Sequence, residues 1–305
     1  MRQVTQRLKN GQIQIAEVPR PTVTPDSVLV DVRASLVSAG TERSTVEAAR
    51  QSLIGKARAR PDQARQVLDK ARRDGLRATL DTVRTRLDQP SPLGYSSAGV
   101  MVEAGARVSG LRPGDRVACA GAGHAVHAEL NQVPANLCAR LPDTVSFEAG
   151  AFATVGSIAL HAVRQAQTSI GERIAVIGLG LVGQLACRLL LAAGCVVVGV
   201  DLDPELVERA RQAGVQWASV RSQLTDADLP TSAADCDAIL ITAATSSDDP
   251  VELAAALARD RARIVVVGDV GMKLPRSPYY GKELELRLSR SYGRSHPRGL
   301  AATSS

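Results

Sequence analysis

Aromatic side chains are nearly missing from this sequence: one Trp, four Tyr and two Phe in 305 residues, or 2%. A core of packed rings is therefore excluded. With 45% apolar residues the interior must be aliphatic, and such a composition suits a parallel sheet flanked by Ala/Leu helices. Cysteine is also sparse. The five cysteines are odd in number and include no C-x-x-C pair, which argues against a disulfide framework and for a reducing compartment. Residues 1–17 alternate polar and apolar positions and hold no apolar signal-peptide segment, and no uninterrupted apolar run reaches spanning length. The expectation is a cytoplasmic protein with no membrane partner.

Surplus charge is confined to one place. Residues 43–93 hold 12 Lys/Arg and 6 Asp/Glu, a difference of +6 that equals the net charge of the whole chain. The remainder is balanced, so a general polyanion-binding surface is not implied. Leu76, Leu80, Val83 and Leu87 form one apolar stripe at helical spacing, with Arg77, Arg84 and Arg86 off it. The segment from about 45 to 90 reads as a helical insert. Two roles stand open for it: a docked hairpin with a solvated basic face, or a surface that attracts an anionic substrate. It lacks interleaved aromatics and any zinc or helix-turn-helix signature, so no nucleic-acid partner is expected.

The chain is long enough for two domains. Up to about residue 160 it reads as short strands separated by turns. Strand candidates are Ser27–Val32, Ala98–Glu103, Arg116–Ala120 and Ala125–Leu130, with turns such as Pro113-Gly114-Asp115. From about Ile170 strands and helices alternate. Arg173–Ile177, Val196–Val200, Ala238–Thr242, Arg263–Val267 and Leu284–Leu288 read as strands. Leu181–Ala193, Pro204–Ala213 and Val251–Ala258 read as helices between them. That rhythm requires parallel pairing and right-handed crossovers. The fold class expected is α/β: a β-barrel-like domain over 1–160 carrying the insert, a doubly wound parallel-sheet domain over 161–293, and a disordered tail over 294–305.

Gly178-Leu179-Gly180-Leu181-Val182-Gly183 opens a helix directly after an apolar strand, the setting a dinucleotide fingerprint needs. Gly178 serves the tight turn, Gly180 the approach of a pyrophosphate, and Gly183 close helix–strand packing. Leu181 and Val182 supply amides at the helix start, where anions are favoured. Asp201 ends the next strand, 18 residues after Gly183, and Leu202 rather than an arginine follows. A carboxylate there accepts the ribose hydroxyls of NAD and repels the 2′-phosphate of NADP. The cofactor expected is NAD. Ala243 and Gly268, each just past a later strand, complete the assigned cofactor set.

Several stretches carry a family resemblance. Gly40-Thr41-Glu42, Gly94-Tyr95-Ser96-Ser97-Ala98-Gly99, Pro113-Gly114-Asp115-Arg116-Val117 and Ser157-Ile158-Ala159-Leu160-His161-Ala162 resemble motifs of medium-chain dehydrogenases/reductases of the alcohol, threonine and polyol type. Ser38–Arg43 and the insert further resemble the N-terminal half of bacterial bi-domain oxidoreductases. The resemblance implies a GroES-like β domain beside a Rossmann domain, with the active site in the cleft between them. It also implies hydride transfer between NAD(H) and a hydroxyl/carbonyl carbon of a small, sugar-like substrate. Relatives run on past Gly293, so the chain reads as C-terminally truncated, and family analogy suggests a dimer or tetramer.

The family's zinc-binding positions read Ala39, Tyr95 and Thr154 here, and the four-cysteine zinc lobe is absent, so no metal is expected. The candidate catalytic residues are then Tyr95, Thr41, Glu42 and Ser96. The Tyr95 hydroxyl would act as acid/base or oxyanion donor, Thr41 as proton relay, Glu42 as a structural acid and Ser96 as a substrate ligand. The alternative is that Tyr95 and Ser96 simply fill the vacated metal pocket. Two other functional readings stay open: a non-catalytic NAD-binding remnant or partner subunit, and an NADPH-dependent quinone or enoyl reductase, which Asp201 disfavours.

Overall fold

The computed structural model describes residues 1–7, 9–40, 42, 75, 89–224 and 229–293. The chain divides into two compact units, Met1–Thr154 and Val155–Ser305. Apart from Gly75, Gln89 and Pro90, the expected helical insert lies outside the described residues, as do the tail and Thr41.

In the first unit β1 (Arg2–Arg7) pairs antiparallel with both β2 (Ile13–Glu17) and β4 (Pro90–Pro92). A second antiparallel sheet takes in β3 (Ser27–Ser35), β5 (Ser96–Ala104), β6 (Arg116–Ala120), β7 (Leu130–Pro134) and β8 (Cys138–Arg140), in the order β7-β3-β5-β6-β8. Its core is aliphatic and small: Val28, Val30, Met101, Val117 and Val133 are fully buried. A short helix, α1 (Phe147–Gly150), follows, with Ser146 accepting the Ala149 amide as its N-cap.

The expected strand Ala125–Leu130 is not one. Its first half is a loop, and the strand starts at Leu130. The cause is local. Ala125 N–H bonds back to Gly121 O, His127 N–H donates to Leu93 O, and Val4 N–H donates to His127 O. These single bridges pin the segment without a continuous ladder.

Helix α2 (Ala153–Gln165) contains the division between the units. The second unit then alternates β9 (Arg173–Ile177), α3 (Leu181–Ala192), β10 (Val196–Asp201), α4 (Pro204–Gln212), β11 (Trp217–Val220), β12 (Cys236–Ile241), α5 (Asp249–Leu257), β13 (Ala258–Val266), α6 (Arg276–Gly281) and β14 (Glu285–Leu288). The strands form one six-stranded sheet, ordered β11-β10-β9-β12-β13-β14, and every pairing is parallel. Ile174, Val176, Ala175 and Ile177 point alternately into two separate apolar clusters, one on each face. That is why β9 reads as an unbroken apolar run. The sheet order is that of a Rossmann fold, and its topological switch lies between β9 and β12.

Candidate functional site

At the carboxyl ends of β9 and β12 the backbone is packed to its limit. Gly178 has φ +94°, and a Cβ there would sit 2.5 Å from Ala243 N. A Cβ on Gly183 would lie 1.9 Å from Gly178 O, and one on Gly268 1.9 Å from Ala243 O. These glycines therefore let three loops touch backbone to backbone. Thr242, which the sequence reading missed, ties them: its hydroxyl donates to Gly178 O at 2.5 Å. Gly178 N–H donates to Val200 O at 2.8 Å, and the Thr242 and Ala243 amides both donate to Ile177 O.

Gly180 is the exception. Nothing lies within 4 Å of where its Cβ would be. It is the N-cap of α3, no side chain caps that helix, and no acidic residue stands in its first turn. By contrast α4 is capped by the Asp203 carboxylate, which accepts the Glu205 amide at 2.8 Å. The start of α3, at Leu181, Val182 and Gly183, thus offers uncapped amide donors above a space that Gly180 leaves open. Its dipole favours an anion there.

Asp201, at the end of β10, is half-buried and held in place. Its Oδ2 accepts the Leu179 amide at 2.5 Å and its Oδ1 accepts the Asp203 amide at 2.9 Å. A carboxylate has lone pairs beyond these two bonds. Leu202 beside it is exposed. All the assigned nucleotide residues thus fall at the carboxyl ends of neighbouring strands of the parallel sheet.

In the first unit the other assigned residues behave differently from one another. Ser96 is buried, and its hydroxyl donates to Ala151 O at 2.6 Å, so it is not offered to a substrate. Glu42 Oε1 accepts the Ser38 amide at 3.0 Å and meets His127 Nε2 at 3.1 Å. The other ring nitrogen of His127, Nδ1, lies 2.9 Å from the Ser35 hydroxyl. Ser35, His127 and Glu42 form a partly buried polar chain, and no spaced motif announces it. Gly94, with φ +97°, sits directly on the imidazole, since a Cβ there would come within 2.9 Å of His127 Cε1. His127 therefore shapes the turn that presents Tyr95. Tyr95 is half-buried and its carbonyl accepts the Gly121 amide.

The positions that resemble zinc-ligand sites offer no zinc chemistry. Ala39 has no donor atom, and the buried Thr154 hydroxyl donates to Cys119 O at 3.3 Å. Among the described residues no three His, Cys, Asp or Glu side chains come together to hold a metal. These side chains do not fit a tightly bound zinc, which takes thiolate, imidazole or carboxylate.

Residues 174–269 match the TrkA-N domain. By sequence the chain is 30% identical over 151 residues to the probable D-xylulose reductase A of Neosartorya fischeri, covering 40% of this chain and 42% of that protein. The chain thus spans about two fifths of the length of the relatives it matches. By structure it resembles galactitol-1-phosphate dehydrogenase from Escherichia coli, with a TM-score of 0.72 at 21% identity, covering 98% of this chain and 85% of that one. It also resembles an Escherichia coli CFT073 alcohol dehydrogenase complexed with NADH, with a TM-score of 0.73 at 21% identity, covering 95% and 83%. Its relatives include sorbitol and (R,R)-butanediol dehydrogenases, and its structural neighbours include alcohol dehydrogenases and a quinone oxidoreductase from Coxiella burnetii. The described residues form an antiparallel, GroES-like unit and a parallel-sheet Rossmann unit. Among the described residues no helix is long and apolar enough to cross a membrane.

Proposed function

We propose that the chain is an NAD(H)-dependent oxidoreductase that interconverts a hydroxyl and a carbonyl carbon on a small polyol- or sugar-like molecule, without a catalytic zinc. The observation that carries this is the uncapped start of α3 above the open side of Gly180, with the Asp201 carboxylate at the end of the neighbouring strand. A pyrophosphate matches the first, and a ribose diol the second. Relatives by sequence and structure are named for polyol and alcohol substrates, which supports that substrate class.

NADH, when bound, supplies the hydride. The protein's own residues hold the cofactor and handle the proton. The Leu181, Val182 and Gly183 amides would hold the pyrophosphate, Asp201 would accept from the ribose hydroxyls, and the exposed Leu202 beside it would offer apolar surface to the base. Ala243 and Gly268, packed backbone to backbone, would line the cofactor side of the cradle. Tyr95 donates its phenolic proton to the carbonyl oxygen during reduction and takes it back during oxidation. Glu42 and His127 hold the Tyr95 turn in place, and Ser96 anchors β5. Thr41 is assigned to the proton relay on its place in the Gly40-Thr41-Glu42 motif.

A second reading has an observation of its own. Ser96 and Glu42 are both committed to internal hydrogen bonds, which suits a chain that binds NADH without turning it over. The two separate on one experiment: NADH formation from NAD on a panel of polyols, after exhaustive dialysis against a chelator. Turnover that survives the chelator and gains nothing from added zinc is the result expected. Turnover that disappears and returns with zinc overturns the zinc-free mechanism. NADH binding without turnover on any substrate establishes the second reading.

A further inference from the structure

Two of the five cysteines, unconnected in the sequence and 19 residues apart, are brought face to face in the first unit. Cys119 on β6 and Cys138 on β8 are register partners in an antiparallel pair, and their sulfurs lie 3.8 Å apart. We propose that Cys119 and Cys138 are a modification site: an oxidisable dithiol that a peroxide converts into a cross-strand disulfide. This inference is independent of the nucleotide site.

The geometry is close to what a disulfide needs. Directly opposed residues in antiparallel strands have Cα atoms about 4.5–5.5 Å apart, inside the roughly 4.4–6.8 Å that disulfides span. Closing the gap to a bond of about 2.05 Å asks mainly for side-chain rotation at Cys138. That residue begins β8, a three-residue strand at the edge of the sheet.

The two thiols differ in access, which sets the order of events. Cys119 is buried, and its thiol is held well above the usual range, by its hydrogen bond with Cys138 first and by burial second. Cys138 is half-buried and its S–H points to Pro134 O at 3.7 Å. Cys138 is therefore the sulfur that peroxide reaches. Its thiolate attacks one peroxide oxygen: an S–O bond forms, the O–O bond breaks, and the departing hydroxide takes a proton to become water. The resulting sulfenic acid faces Cys119. The Cys119 sulfur attacks it, the S–S bond forms, the S–O bond breaks, and the leaving hydroxide takes the Cys119 proton as a second water. Two thiols are oxidised and one hydrogen peroxide is reduced to two waters.

The other three cysteines are internal controls. Cys187 and Cys236 are buried among the apolar residues on opposite faces of the parallel sheet, and burial pushes each thiol up to about 12. Cys195 is also buried, with its S–H donated to Ser169 O.

The test is to treat the full chain with hydrogen peroxide, then count thiols in denaturant and map peptides without reduction. The five free thiols should fall to three, with the Cys119 and Cys138 peptides joined and released by dithiothreitol. In Cys138→Ser, Cys119 should remain a free thiol under the same treatment. Survival of all five thiols in the parent chain overturns the proposal. So does over-oxidation of Cys138 while Cys119 stays reduced, or a disulfide joining any other pair. The map of the parent chain decides the matter even if the variant folds poorly.

Discussion

Tyr95 is the residue to which the proposed function gives the proton transfer, at a position that the family resemblance matches to a metal ligand. Ser96 next to it is spent on Ala151, and Glu42 is spent on Ser38 and His127. The Tyr95→Phe substitution removes one hydroxyl and leaves the packing of the ring. It should lower kcat by about 10²–10⁴, the usual contribution of a positioned acid/base, with NADH affinity unchanged. Steady-state kinetics beside an NADH titration checks both halves. Unchanged kcat would make Tyr95 a filler of the old metal pocket. The glycine turn was legible residue by residue, because backbone contact demands Gly178 and Gly183, and Gly180 between them leaves open space at the helix start. Thr242 and His127 were not legible. Their roles depend on which loops the fold brings together, and neither belongs to a spaced motif.

Elements with strong periodicity were found within a residue or two. The β9 strand is buried on both faces and contains no polar interruption, and α3 starts at its glycine and ends beside Gly194. Elements fixed by long-range pairing were missed or misplaced. Strands β4 and β8 have three residues each and exist because β1 and β6 lie beside them. The edge strand β11 carries Trp217 and Ser219 and shows little pattern of its own. Helix α6 was also missed, and a pH effect belongs to it. Tyr279 on α6 packs against the buried cluster of α5 and the sheet, its hydroxyl donates to Val251 O at 3.0 Å, and burial pushes its pKa up to about 12. A raised acid favours the fold while the unfolded chain is also protonated. That contribution is complete below about pH 10, the pKa of an unperturbed tyrosine, and is lost as pH climbs towards 12. Denaturant midpoints measured across that window should fall more steeply for the parent chain than for Tyr279→Phe. Parallel slopes would remove Tyr279 from the alkaline transition.

At the scale of the whole molecule each unit carries its own candidate groups. The parallel-sheet unit has the uncapped helix start and Asp201 beside its topological switch, and the antiparallel unit has Tyr95 on a turn beside the Ser35–His127–Glu42 chain. The fold class was readable in the sequence because aliphatic runs, glycine turns and strand–helix alternation agree with one another. The central claim, that the cradle binds NAD(H) and discriminates through Asp201, is tested most directly by titrating the chain with NADH and with NADPH and following nicotinamide fluorescence. The account predicts NADH binding at least about tenfold tighter, a difference of roughly 1.4 kcal/mol, and narrowing of that gap in Asp201→Ser. NADPH binding as tightly as NADH, or a gap that Asp201→Ser leaves intact, would contradict it.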